Sequence, residues 1–283
     1  MPFNMNRTWS QAIALVRANF QLLAVIAGVF LLLPSLLFAI LMPDTVDWMQ
    51  LGQNPEALAA AMGGSILPLF AYALISFLLQ IVGFGAMIAL VGDSRPTVGE
   101  AIGRGVRSLP TVIAATLVFV LAYVAIMLLF SALIGLLSAA AAAIGGAGVS
   151  GVIAIILMAA LVAAVLYVSA RLSLTLAVVV LESERNPITA LRRSWMITKP
   201  SGGAIFGFYV LLGIAYFVIS LLLFGLLGVI GAALGEGAAS ALFMGLVNGL
   251  VGAFVGMVMS GIFVSMHRQL AGLPTEVIGR TFD

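Results

Sequence analysis

The chain has 283 residues, of which 63% are hydrophobic and 8% charged, with a formal net charge of +2. A soluble domain carries roughly 25% charged residues, so this composition, with a mean hydropathy of +1.26, excludes water as the main solvent. The near-neutral balance gives no footprint for nucleic acid, and the absence of cysteine excludes a disulfide framework and a thiolate metal site.

Six long apolar runs follow in chain order: Leu22–Met42, Ile66–Val91, Thr111–Leu137, Gly151–Leu181, Gly203–Leu234 and Ala241–Met266. Each meets the roughly 20 residues that a helix needs to cross a hydrocarbon core of about 30 Å. Transmembrane strands would be half as long and would alternate in polarity. The expected fold is therefore an all-α polytopic membrane protein with six transmembrane helices. The first run is too long for a signal-peptide core and is expected to stay as a span.

The connections alternate in charge. Asp44–Ser65 holds Asp44, Asp47 and Glu56 without a base, Ser138–Ser150 is uncharged, and Gly235–Ser240 holds only Glu236. The other side collects Arg7 and Arg17, then Arg95, Arg104 and Arg107, then Arg185, Arg192, Arg193 and Lys199, then Arg268 and Arg280. Basic loops stay cytoplasmic. Both termini are thus expected on the cytoplasmic side. Trp9 and Trp195 fall near the inner interface and Trp48 near the outer one.

The basic segments share a period. Thr8, Thr97 and Asn186 are spaced equally (97 − 8 = 89; 186 − 97 = 89), and each residue type favours a helix N-cap. Thr97 with Glu100 and Thr8 with Gln11 fit a capping box. Pro187 suits the first helical position. Ala12-Ile13, Ala101-Ile102 and Ala190-Leu191 follow at matching offsets, as do Asp93-Ser94 with Glu182-Ser183 and Arg104 with Arg193. Pro274-Thr275 echoes Pro96-Thr97 two periods on.

The expected organisation is one membrane domain over 1–283. It comprises three parallel repeats, each an interfacial helix plus a two-span hairpin, at about 6–94, 95–183 and 184–272, with a cytoplasmic tail over 273–283. The interfacial helices are amphipathic: Trp9, Ile13, Val16 and Phe20 share a stripe, as do Ile188, Leu191 and Trp195. Trp9, Arg17, Arg104, Arg192, Arg193 and Trp195 are the candidate lipid-facing residues. Two readings stand: a lipid-binding collar, or loops whose apolar faces pack on the bundle.

Arg171 is the only charge within a run. An unbroken helix from Arg171 to Glu182 would set it roughly 16 Å from the cytoplasmic surface, near mid-membrane; a protruding helix would leave it near the interface. Tyr167, Arg171 and Thr175 share a helix face, as do Tyr72, Ser76 and Gln80, and Asn248, Gly252, Gly256 and Ser260. These stripes are expected to face one another. Arg171, Tyr167, Gln80 and Ser260 form a candidate anion or lipid site. Gly245, Gly249, Gly252 and Gly256 would let the last span approach a neighbour closely. No Asp or Glu lies in a run, so Arg171 suits either an external anion or backbone carbonyls.

Catalytic chemistry has few residues to work with. His267, the only histidine, sits beside Arg268 at a span's end, where it reads as a headgroup neighbour. Glu182 and Glu184 read as solvated loop charges. No Ser-His-Asp set can be assembled, and no metal or cofactor is expected.

The stretch Tyr167–Gly207 reads YVSARLSLTLAVVVLESERNPITALRRSWMITKPSGGAIFG. It resembles the membrane domain attached to some bacterial glycerophosphodiester phosphodiesterases and related stand-alone inner-membrane proteins. The resemblance rests on Arg171 before an apolar run, Glu182, Pro187, Ala190-Leu191, Ser194-Trp195 and Thr198. It implies the membrane module without the phosphodiesterase domain, for which the chain has no room. The expected function is a non-catalytic membrane module, a scaffold or accessory subunit in contact with membrane lipids and with a protein partner in the membrane. The alternative is a transporter or carrier of an anionic amphiphile with Arg171 as its anion site.

Overall fold

The computed structural model describes residues 3–41, 66–92, 96–235 and 237–271. The acidic Asp44–Ser65 segment with Trp48, together with Asp93–Arg95, Glu236 and the expected tail over 273–283, lies outside them. Every regular element among the described residues is helical. In chain order these are α1 (Met5–Ala18), α2 (Phe20–Ala27), a π-helical turn (Gly28–Leu32), α3 (Leu33–Leu41), α4 (Ile66–Val91) and α5 (Val98–Leu172). There follow α6 (Thr175–Leu181), α7 (Pro187–Thr198), a 3-10 turn (Lys199–Ser201), α8 (Gly202–Ala233) and α9 (Ala238–Ala271).

The helical stretch Phe20–Leu41 and the helices α4, α5, α8 and α9 are each long and apolar enough to cross a membrane. A straight α5 of 75 residues would measure about 110 Å, far more than any bilayer needs. It is in fact two helices meeting at Gly146, whose φ of 73° and ψ of −175° break the helical path. Val118, Phe119 and Tyr123 on one arm line the same groove as Ala164, Val168 and Leu172 on the other, so the arms fold back on each other. Only glycine adopts that backbone without strain. Counting the arms separately gives six long apolar helices.

The chain divides into two compact units. One holds Arg7–Leu109 and Gly213–Ser265; the other holds Met1–Asn6, Pro110–Leu212 and Met266–Asp283. In the first unit, the π-helical turn precedes Pro34. A proline ring clashes with the carbonyl four residues back, here that of Phe30, and a widened turn relieves that clash. The Tyr72 hydroxyl of α4 donates to the Pro34 carbonyl at 2.9 Å. Glycines let neighbours close on this kinked span. A Cβ on Gly83 would lie 2.6 Å from Phe30 Cβ, and one on Gly249 would lie 3.2 Å from the Leu32 backbone. Gly245 meets Ala39 and Gly256 meets Leu31 in the same way, whereas Gly252 faces open space. Three of the four glycines expected to form a seam on the last span therefore do so.

Three close contacts, each inside a single unit, join a short segment to a long helix. At the first, a side chain on Gly105 would collide with the Val82 carbonyl oxygen of α4 and approach Ala86 N to 3.1 Å. At the second, Ser194 Oγ of α7 donates to the Arg171 carbonyl at 3.0 Å. At the third, a Cβ on Gly261 of α9 would lie 2.9 Å from the Ala12 carbonyl and 3.0 Å from Val16 Cγ2. On the short segments Val16, Gly105 and Ser194 are equally spaced (105 − 16 = 89; 194 − 105 = 89); on the long helices Val82 and Arg171 are 89 apart (171 − 82 = 89) and Gly261 follows after 90 (261 − 171 = 90). Ala12, Ala101 and Ala190, one turn earlier, are all fully buried.

These contacts correct the expected amphipathic faces. The buried face of α1 is Thr8, Ala12 and Val16, and that of α7 is Ala190, Ser194, Ile197 and Thr198. The large residues Trp9, Phe20, Ile188 and Trp195 point outward. Small side chains face the partner helix because they permit close backbone approach. The caps divide as well. Thr97 and Glu100 close the expected capping box, with Thr97 N to Glu100 Oε2 at 2.9 Å and Glu100 N to Thr97 Oγ1 at 3.3 Å. Asn186 Oδ1 accepts from the amides of Ile188 and Thr189 at 3.0 and 3.2 Å. Thr8 does not stand at the helix start, because α1 begins three residues earlier at Met5 and buries Thr8 within it. The segment after Thr97 is not a separate interfacial helix either. It runs on through Pro110 into the rest of α5.

Close approach at Gly105 makes a specific prediction. Gly105→Ala pushes a methyl into backbone and should cost about 1–3 kcal/mol. Gly103→Ala, two residues away in open space, should be neutral or stabilising by about 1 kcal/mol. Thermal unfolding midpoints of the purified variants in detergent check this; equal midpoints for the two would contradict it.

Candidate functional site around Arg171

The site begins with a break in the helix. Ser173 Oγ donates to the Ala170 carbonyl at 2.8 Å and Thr175 Oγ1 to the Leu172 carbonyl at 2.7 Å. Such back-bonding competes with the helical ladder, and the helix stops at Leu172 and restarts at Thr175. α6 and α7 then pack together. The Arg171 carbonyl accepts from Ser194 Oγ at 3.0 Å and from Thr198 Oγ1 at 3.1 Å. Thr198 has one hydroxyl proton and its own helix carbonyl at Ser194 lies closer, at 2.7 Å. Ser194 is therefore the secure partner of the Arg171 carbonyl.

The helix does not run unbroken from Arg171 to Glu182, and the Arg171 side chain meets the amphipathic helix α7 rather than a mid-span neighbour. Its Nη2 donates to the Trp195 carbonyl at 3.0 Å. That carbonyl belongs to the last turn of α7, the end where a cation is favoured. The guanidinium carbon lies 4.4 Å from the Trp195 ring centroid and 5.9 Å from that of Tyr167. A desolvated cation–π contact contributes up to about 2 kcal/mol.

These contacts leave the group incompletely satisfied. Arg171 is only 2% exposed, and its Nε and Nη1 have no hydrogen-bond partner among the described residues. A buried donor without a partner costs about 1–3 kcal/mol, more when charged. Gly202, the first residue of α8, borders the unpaired donors. A Cβ there would lie 3.0 Å from Nη1 and 3.1 Å from the Tyr167 hydroxyl. A side chain there would press on both polar groups.

The other two pairings use none of these residues. At the same offsets, Tyr167 is replaced by Leu78 and Gly256, Arg171 by Val82 and Ser260, Trp195 by Val106 and Arg17, and Gly202 by Ile113 and Ala24. Their long helices, α4 and α9, also continue without a break past Val82 and Ser260. The helix pairing itself therefore does not call for a guanidinium.

Of the expected site residues, Tyr167 stands beside Arg171. Gln80 and Ser260 belong to the other compact unit. Gln80 is exposed rather than inward-facing, and Ser260, although buried, bonds the Gly256 carbonyl of its own helix at 2.8 Å. Asn248 is likewise exposed and donates to Met244 of its own helix. Trp9, Arg17, Arg104, Arg192 and Trp195 are exposed.

Arg193 is instead drawn into an ionic cluster. Its Nε lies 3.2 Å from Glu182 Oε2, and His267 Nε2 lies 2.9 Å from Glu182 Oε1. Glu182 thus joins the ends of α6 and α9 to α7, which corrects the reading of Glu182 as a solvated charge and of His267 as a headgroup neighbour. Their separation of 85 residues left no local pattern to read.

Comparison with known proteins finds no match: no family model, curated protein or solved structure is similar to this chain.

Two predictions follow from the site's chemistry. Arg171→Met should leave stability unchanged or raise it by about 1–4 kcal/mol, as when a buried ion gives way to an apolar residue of similar size. Ser194→Val should lower stability by about 1–3 kcal/mol because it strips the Arg171 carbonyl of its donor. Unfolding midpoints decide; a large loss in Arg171→Met would mark the side chain as structural. At the start of α5, hydrogen bonds from the Thr97 amide and hydroxyl region hold the Glu100 carboxyl below its ordinary range, with Arg104 adding to the effect. A depressed carboxylate stabilises the fold above its unfolded value of about 4.3 and loses that contribution as pH falls through the folded value. Protection of the first-turn amides of α5 against hydrogen exchange, corrected for intrinsic rates, should fall on acidification. Glu100→Gln should remove that dependence.

Proposed function

We propose that this chain is a non-catalytic module of a bacterial inner membrane, a scaffold or accessory subunit that holds its place by lipid contacts. It spans six times, with both termini cytoplasmic, as three parallel repeats of a short amphipathic segment and a two-span hairpin. The observation that carries this reading is the contact of Val16, Gly105 and Ser194, 89 residues apart, with the long helices at Gly261, Val82 and Arg171. Three such contacts support one duplicated unit. The short segment of each unit packs on the long helix before it, and the first packs on the last. The outward large residues of α1 and α7 suit the headgroup boundary, and the basic connections suit a cytoplasmic face. The resemblance of Tyr167–Gly207 to phosphodiesterase-associated membrane domains supports the accessory role.

The chain has no cysteine, so single introduced cysteines report topology. In intact cells a membrane-impermeant maleimide should label Ala147→Cys and spare Ser10→Cys. In proteoliposomes the purified chain should neither hydrolyse phosphodiester lipids nor speed the translocation of fluorescent phosphatidylglycerol above the protein-free rate. Translocation that disappears in Arg171→Met would replace this reading with a carrier.

A further inference from the structure

We propose that Arg171 anchors the phosphate of one anionic membrane lipid, whose acyl chain lies in the apolar groove between the second arm of α5 and Phe206. This inference rests on the reading of the chain as a membrane module, but not on whether that module is catalytic.

Three observations converge within one compact unit. The first is the guanidinium, which is buried and unpaired at Nε and Nη1. No Asp or Glu lies in the apolar runs on either side of it, so an anion from outside the chain is the natural counter-charge. The second is the bare Cα of Gly202. Nη1 and the Tyr167 hydroxyl both border it, and only the lack of a side chain there leaves the two donors side by side, so a phosphate drawn to the guanidinium at this point has both to accept from. Charge-assisted bonds of this kind are roughly twice as strong as neutral ones.

The third is the groove, about 500 Å³ in volume, formed by Ile155, Ala159, Val162, Ala163 and Leu166 with Phe206 across from them. From Ile155 to Leu166 it runs about 16 Å along the helix. Phe206 packs edge-on against Tyr167, with ring centroids 6.2 Å apart. Ala159, Ala163, Tyr167 and Arg171 follow at intervals of four, so one helix face leads from the groove to the guanidinium. Tyr167 is 39% exposed, and its ring lies 6.2 Å from that of Phe206 on one side and 5.9 Å from the guanidinium carbon on the other. The acyl chain therefore has an apolar bed that ends where the only unpaired charge of the unit's long helices begins. A free phosphate would use the guanidinium and leave the groove unused.

The pairings at Val82 and Ser260 sharpen the point. Gly105 and Gly261 bring backbone as close there with no arginine at the position of Arg171, no aromatic ring at those of Tyr167 and Trp195, and no glycine at that of Gly202. Tyr167, Arg171, Trp195 and Gly202 occur together at one pairing of the three.

The test is native mass spectrometry of the full chain, released from nanodiscs of mixed phosphatidylglycerol and phosphatidylcholine. Wild type should retain one phosphatidylglycerol with at least a tenfold preference over phosphatidylcholine. Arg171→Gln and Gly202→Ala should each reduce that preference about tenfold. Arg192→Gln, which removes an exposed base of α7, should change it less than twofold, and millimolar inorganic phosphate should not displace the lipid. The absence of a preference in wild type overturns the proposal. So does a folded Gly202→Ala or Arg171→Gln chain that retains the lipid as wild type does. Displacement by phosphate alone would overturn the lipid in favour of a free anion. Gly202→Ala adds a favourable helix former at a helix start and decides the matter where Arg171→Gln fails to fold.

Discussion

In hydrocarbon a helix gains nothing by hiding leucine from its surroundings, because the solvent is as apolar as the side chain. Association then depends on how closely two backbones approach and on the dispersion and polar contacts that closeness permits. The pairings at Gly105, Ser194 and Gly261 meet this constraint directly. Each sets a short helical segment against a carbonyl or a bare Cα of a long helix. The buried alanines one turn away keep the same approach along the interface. The glycines of α9 that close on the kinked span serve the same need, which is to bring helices together with little side chain between them.

Arg171 sits at the one pairing where this economy is broken. Its helix is interrupted, its carbonyl is handed to hydroxyls on the neighbouring helix, and its guanidinium is held by a carbonyl and two rings. The carbonyl contact and the side-chain contact are separable. Ser194 secures the backbone whatever side chain occupies position 171, while the guanidinium brings two donors that nothing nearby accepts from. A residue whose backbone does the structural task and whose side chain carries an unmet electrostatic demand is suited to a ligand. The two sister positions, Val82 and Ser260, show that the packing is reached without it.

Much of this was legible in the sequence. The long apolar runs set the helices, Thr97 and Asn186 announced their caps, and the equal offsets of Ala12, Ala101 and Ala190 marked the segments that pair with long helices. The inward faces were misread because large apolar residues such as Trp9 and Ile13 draw the eye of a rule made for water-soluble proteins. In a membrane the small residues face the partner and the large ones face lipid. Reading Val16, Gly105 and Ser194 as one position would have found the buried face. The break after Leu172 was hidden because Ser173 and Thr175 are compatible with a continuing helix. The Glu182–His267 contact joins residues too far apart in sequence for any spacing rule.

The account stands on the claim that the donors of Arg171 are completed by a lipid phosphate. An experimental density map of the chain in nanodiscs containing phosphatidylglycerol tests it most directly. The account predicts phosphate density beside Gly202, within hydrogen-bonding reach of Nη1 and the Tyr167 hydroxyl, continuing as an acyl chain along Ile155–Leu166 and Phe206. A guanidinium whose free donors turn to protein carbonyls, with no density in the groove, would contradict it.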